Sequence, residues 1–158
     1  MAKTNEFELF AELAVSANAT NTPLDMTDYV DIADNQAFEV HEIDIVYDVT
    51  QGFPGTDSDV VFQLADSNIA TFVSHADRTS LYIQRQTFDS ATLGMYRQES
   101  FSSLTPLIVS KTLFLRHDLL AGAGGATLNF TVRMKGKIVT PSAKDYMALV
   151  LTQTGNVA

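Results

Sequence analysis

Hydrophobic and polar residues alternate along much of this chain with the period of a β-strand. The cleanest stretch runs from Thr127 to Ile138. Leu128, Phe130, Val132, Met134 and Ile138 fall on one parity, and Asn129, Thr131, Arg133, Lys135 and Lys137 fall on the other. Successive strand side chains point to opposite faces, so this segment predicts a strand with one buried face and one polar, basic face. Ala121-Gly122-Ala123-Gly124-Gly125 just before it predicts a turn, because glycine tolerates the positive φ angles that loops need. Ala37 to Val49 predicts a second long strand. Phe38 and Val40 share one parity while Ile43, Ile45, Tyr47 and Val49 share the other, so the register slips near His41-Glu42, as at a β-bulge.

Phe7 to Val15 carries both signals. Phe7, Leu9, Leu13 and Val15 suit a strand, and Phe10, Leu13 and Ala14 suit a helical stripe; the β-rich sequel favours the strand. Val60–Leu64, Ser80–Gln86 and Thr112–Arg116 predict shorter strands, and Pro106 marks an edge or break before Leu107-Ile108-Val109. Gln51 to Asp57 reads as an exposed loop, and Ala33 to Gln36 as a short helical turn. One helix is predicted near the end. Ser142 caps it, Asp145 supplies the acid of a capping box, Tyr146, Met147, Leu149 and Val150 form its apolar stripe, and Gly155 stops it. Many spaced strands followed by a short helix predict an all-β chain: one antiparallel β-sandwich of jelly-roll type over residues 1–158, with 1–6 and 154–158 as flexible termini.

Composition narrows the chemistry. With 46% hydrophobic and 18% charged residues the 158-residue chain can bury a sizeable core, and it has no cysteine, which excludes disulfides, thiolate metal sites and cysteine nucleophiles. No apolar run approaches the roughly 18 residues of a membrane-spanning helix, and Met1 to Glu6 lacks the layout of a secretory signal. The net charge of −9 argues against a coat of nucleic-acid-binding charge. That charge is unevenly spread. Residues 1–66 carry 14 of the 19 acids and one base, a net of −13, whereas residues 67–158 carry 5 acids and 9 bases, a net of +4. We read this as one domain whose early and late strands lie on different faces or edges, able to join copies of itself, positive patch to negative patch, in a salt-sensitive way.

No catalytic constellation stands out. His41, His75 and His117 are far apart in sequence, without the spacing that puts two imidazoles on one face, and each is expected at the surface or a strand edge. There is no Gly-x-Ser-x-Gly elbow and no phosphate-cradling glycine loop, and nothing singles out a carboxylate pair. Loop carboxylates suit Ca²⁺, which makes Asp57 and Asp59 the calcium candidates, the one exception to a reading without metal or cofactor. Asp25, Asp28, Asp31 and Asp34 recur every third residue without the spacing of a calcium loop. The row Arg133, Lys135 and Lys137 is the most distinctive polar feature. It forms one side of an expected contact between copies, with Asp25, Asp28 and Asp31 on the other. No aromatic residue interleaves with it, so a stacking platform for single-stranded nucleic acid is not expected.

The segment Leu24-Asp25-Met26-Thr27-Asp28-Tyr29-Val30-Asp31-Ile32-Ala33-Asp34-Asn35-Gln36-Ala37-Phe38, and the ending Tyr146-Met147-Ala148-Leu149-Val150-Leu151, are similar to uncharacterised sequences of marine viral and microbial genes. With its small-residue loop Ala121 to Gly125, its lack of cysteine and its many strands, the chain resembles the small viral capsid proteins of single jelly-roll type. The resemblance implies a structural, self-assembling, non-enzymatic coat subunit located in the virion, with itself and other capsid proteins as partners. One departure matters: capsid proteins that touch a genome often carry a basic arm, whereas residues 1–24 hold only Lys3 and three glutamates. Direct nucleic-acid binding is therefore not expected, and an inner membrane beneath the shell, a minor-protein role or an empty shell fits better. The alternative is a carbohydrate- or ligand-binding sandwich with a loop calcium, placed in the cytoplasm or secreted without a recognisable signal. It would need Tyr29, Tyr47, Tyr82 and Tyr96 as sugar platforms, since the chain has no tryptophan.

Overall fold

The computed structural model describes residues 5–31, 33–101, 107–109, 112–121 and 127–154. Its strands are β1 (Phe7–Val15), β2 (Thr20–Leu24), β3 (Ala37–Tyr47), β4 (Ser58–Ala65), β5 (Ser80–Asp89), β6 (Gly94–Phe101), β7 (Leu107–Val109), β8 (Leu113–Ala121) and β9 (Leu128–Val139), followed by helix α1 (Ala143–Thr154). They form two sheets, β1-β9-β3-β7 and β2-β8-β4-β5-β6, with every pair antiparallel. Apart from the β4-β5-β6 meander, each connection carries the chain from one sheet to the other. The result is an antiparallel sandwich of jelly-roll type. Among the described residues no helix is long and apolar enough to cross a membrane.

The core lies between the sheets and follows the strand periodicity. Leu128, Phe130, Val132 and Met134 of β9 are buried, as are Leu9, Leu13 and Val15 of β1. Phe130 sits at the centre, with Phe62 packed edge-on at 5.0 Å between ring centroids and Tyr47 at 5.4 Å. Such edge-to-face contacts add to the burial of the rings themselves. β3 slips register between Val40 and Glu42, as its parity change predicts. His41 is the extra residue, and because of it Phe38 and Val40 on one side and Ile43 and Ile45 on the other all face inward and are buried. Opposite the slip stands Gly136 of β9, paired with Val40. A Cβ there would overlap the Glu39 carbonyl and come within 2.8 Å of the Phe38 ring, so β3 and β9 approach closely only because position 136 has no side chain.

Several local expectations are altered. Ala33 to Asn35 forms a turn rather than a helical one, closed by Gln36 N–H donating to Asp31 O at 2.9 Å, with Asn35 at a φ of 54°. A short 3₁₀ helix lies earlier, at Met26–Asp28. β3 ends at Tyr47, and Val49–Gln51 is a second 3₁₀ turn. The following loop is not simply solvated: Phe53 packs edge-on against Phe88 at 5.7 Å. Two edge or end-of-sheet strands, β2 and β6, were not predicted by periodicity at all.

α1 begins as its sequence predicts. Ser142 Oγ accepts from Asp145 N–H at 3.2 Å and donates to Asp145 Oδ2 at 2.7 Å. Its apolar stripe is different: Tyr146 is buried but Met147 is exposed, and the side chains of Leu149 and Val150, like Gly155 and the loop 122–125, lie outside the described residues. Of the expected flexible termini, residues 1–4 and 155–158 also lie outside them, while Glu6 is tied into the sandwich by His41 and Lys135.

Replacing Gly136 by alanine should lower stability by about 2–3 kcal/mol, the scale of an overpacked core. A urea midpoint that falls for Gly136→Ala but stays unchanged for Gly55→Ala, where a Cβ would meet nothing within 4 Å, is the expected result.

Candidate functional site

The predicted basic row lies on the outer face of the four-stranded sheet, where its neighbours are the chain's own acids. β1 and β3 flank β9, so Glu8 and Glu42 both stand opposite Lys135 in the ladder, and Asp44 stands opposite Arg133. Arg133 Nη2 donates to Glu8 Oε2 at 2.6 Å and its guanidinium lies over the Phe10 ring at 5.1 Å. Lys135 Nζ is 3.4 Å from Glu6 Oε2, and Lys137 Nζ is 3.6 Å from Glu39 Oε1. The acidic and basic parts of the sequence thus do not occupy separate faces, as expected, but interleave as acidic, basic and acidic strands on one face. Cross-strand attraction accounts for this arrangement, since opposite charges directly across a ladder stabilise the pairing.

His41, displaced from the ladder by the bulge, completes the ionic face. Its Nδ1 is 2.6 Å from Glu6 Oε1 and its Nε2 is 2.7 Å from Glu39 Oε1. The hydrogen bond with Glu6, and then that with Glu39, raises the His41 pKa above the usual imidazole range. The same contact holds the Glu6 carboxyl below its usual range. His117 contradicts the surface expectation: it faces the core from β8 and is only 2% exposed, with Nε2 3.0 Å from Thr22 Oγ1. Burial lowers its pKa and keeps it neutral near pH 7. His75 lies at an edge, with Nδ1 2.9 Å from Ser80 Oγ and Nε2 3.1 Å from Phe101 O. Ser80 is no exposed nucleophile. It is buried, and its Oγ accepts from Gln63 Nε2 at 2.9 Å.

The remaining candidates are dispersed. Asp57 accepts from Ser90 N–H at 2.9 Å and from Ser90 Oγ at 2.8 Å, bonds that hold its carboxyl below the usual range. Asp59 pairs with Arg85, whose Nε donates to it at 2.8 Å. The two carboxylates therefore serve different protein partners, and among the described residues no group of three or more His, Cys, Asp or Glu side chains is placed to hold a metal ion. Asp25 accepts from Thr112 Oγ1 at 3.2 Å, Asp31 accepts from Ala33 N–H at 2.9 Å, and Asp28 borders a hollow beside β1. Of the four tyrosines needed for sugar platforms, Tyr82 is wholly buried and Tyr47 packs against Phe88 and Phe130. Only Tyr29 and Tyr96 are exposed among these, and they lie on different elements.

A network that sequence does not suggest closes the far edge of the sandwich. Among the described residues β7 covers β3 only at Phe38 to Val40, and no other strand pairs with that edge of β3. Side chains from the other sheet take its place. Gln86 Nε2 donates to Ile45 O at 2.6 Å, and Arg97 Nη1 is 2.8 Å from Asp44 Oδ1. Arg97 also donates to Glu99 at 3.0 Å, and Tyr82 Oη donates to Glu99 Oε2 at 2.7 Å. Burial pushes the Tyr82 phenol up, while its hydrogen bond holds the Glu99 carboxyl down. These groups satisfy backbone and charge at an unroofed edge.

The His41 cluster has a pH signature. A raised imidazole pKa contributes stability below the ordinary value of about 6.5 that is lost as pH rises through the folded pKa. The depressed Glu6 contributes above about 4.5 and is lost on acidification. The cluster should therefore stabilise most between those limits. His117 titrates with the opposite sign, so the measurement is a difference: the stability gap between the parent and His41→Gln, read by denaturation across pH 4 to 9, should peak near pH 5.5 and shrink on both sides.

No known protein family matches the chain, and no curated protein does either. Among solved structures, a chain of Desmodium yellow mottle tymovirus is similar at a TM-score of 0.39 and 10% sequence identity, covering 90% of this chain and 93% of that one. The fold assignment rests on the strand order and pairing described above.

Proposed function

We propose that this chain is a structural protein that assembles with copies of itself, as a subunit of a viral capsid. The observation that carries this reading is the placement of exposed apolar residues at separate sites on one subunit. Phe10 on β1 and Tyr29 after β2 lie on one side of the sandwich, 61% and 46% exposed. Met95 and Phe101 share the inner face of β6 at the opposite edge, Tyr96 is exposed on its outer face, and Met147 and Leu151 mark α1. Grouped apolar exposure marks interaction surfaces. Several such sites on one small subunit let each copy touch more than one neighbour, which a closed shell requires.

The jelly-roll sandwich is compatible with this role without deciding it, since one fold serves many functions. The virion location and the other coat proteins as partners belong to the same reading. Because Arg133, Lys135 and Lys137 already face carboxylates of their own subunit, the contacts between copies draw on apolar edges more than on that row. Apolar burial is not screened by salt.

Light scattering after size exclusion tests the proposal. The expected result is a mass several times 17.3 kDa that grows with concentration and persists in high salt. A monomer at every concentration and salt would overturn it.

A further inference from the structure

Two exposed features of this chain complement each other. The first is a hollow on the β1/β2 side of the sandwich, where the two sheets part. Leu24, Met26 and Val132 form its floor, and Phe10, Tyr29 and Asp28 form its rim. Its volume of about 160 Å³ lies below the roughly 300–1,000 Å³ of small-molecule pockets, so it suits one aliphatic side chain rather than a ligand. The second is the outer ridge of α1. Lys144, Met147 and Leu151 stand at i, i+3 and i+7, which places them on one helical face, opposite the buried Tyr146. Met147 is 56% exposed and Leu151 is 64% exposed.

We propose that α1 of one copy docks on the β1/β2 hollow of the next, with Met147 entering between Phe10 and Tyr29 and Lys144 lying against Asp28; this rests on the self-assembly reading above. Three matches favour a second copy as the occupant. The hollow has room for one flexible apolar side chain, and α1 offers one at the middle of its ridge. A thioether gains from contact with aromatic rings, and two rings border the hollow. The rim carries an acid, and the ridge carries a lysine one turn before the methionine. This is an amphipathic helix seated in a groove, read through its i, i+3 and i+7 positions.

The contact joins two different parts of the subunit, so it forms either head to tail or twice, reciprocally, about a two-fold axis. The hollow lies against Val132 and Met134 in the middle of β9, whereas α1 begins beyond Val139 at its end. Made head to tail, it leaves a free hollow at one end and a free helix at the other, and closes only in a ring or shell. Each single contact is small, and repetition through the assembly supplies its strength.

The absence of cysteine makes the test direct. Full-length Tyr29→Cys and Met147→Cys proteins each carry one thiol, at exposed positions, and their melting curves check that both fold. The two are mixed under assembling conditions and oxidised. The expected product is a covalent dimer that forms in the mixture far more than with either protein alone. Adding Lys144→Glu to the Met147→Cys chain should cut its yield several-fold, and Asp28→Lys in the Tyr29→Cys chain should restore it. Assembly of normal size without the mixed dimer, or with Tyr96→Cys capturing Met147→Cys equally well, would overturn the docking while leaving self-assembly standing. A parent protein that stays monomeric throughout would overturn both.

Discussion

The close approach of β3 and β9 at Gly136 is the constraint from which much else follows. A strand alternates its faces with period two, so a single inserted residue turns every later side chain to the other side. β3 uses that rule once. The extra residue at His41 lets Phe38 and Val40 before it, and Ile43 and Ile45 after it, serve the same core. The irregular backbone needs space in the partner strand, and Gly136 supplies it. His41 itself, pushed out of the ladder, falls between Glu6 and Glu39 and ties the start of β1 to β3. One missing side chain thus supports the core, the ionic face and the anchoring of the first strand.

How much of this was legible depended on where each strand sits. β9, β3 and β1 each pack one face on the core, so burial wrote alternation into their sequences; the parity change at His41-Glu42 located the bulge. β2 and β6 left no such trace. β2 is the short segment Thr20–Leu24 at a sheet edge, where even Pro23 is tolerated, and β6 is largely exposed, so its pairing with β5 rather than its own pattern makes it a strand. The basic row was readable as a row, but its partners were not. Glu6, Glu8 and Glu39 reach it from strands about a hundred residues away, and distance in sequence hides that neighbourhood. His117 was misplaced for a similar reason. A histidine flanked by Arg116 and Asp118 reads as surface, and only the inward parity of Leu113, Leu115 and Leu119 puts it inside.

The charge asymmetry along the chain has a simple spatial resolution. Because the jelly-roll order inserts the last strand between the first and the third, an acidic beginning and a basic end become neighbours in one sheet. Charge that looks segregated on paper is largely neutralised in pairs, and exposed pairs of this kind add little stability each. Their effect is on register: a slip of β9 against β1 or β3 would set its cations against the wrong positions and turn its apolar face outward.

The mismatch between a sheet of four strands and one of five has its own consequence. β6 overhangs the sandwich edge, with Met95, Arg97, Glu99 and Phe101 on the face that a fifth opposing strand would have covered. An overhanging strand whose outer edge pairs with no strand among the described residues is where a sheet can grow wrongly, as a ribbon of strands. Two charges sit among its apolar residues, Arg97 reaching Asp44 across the gap and Glu99 held by Arg97 and Tyr82 of its own sheet, and they make continuous stacking of further strands costly. The same pairing that seals the edge of one molecule therefore acts as a guard against amyloid-like growth between molecules.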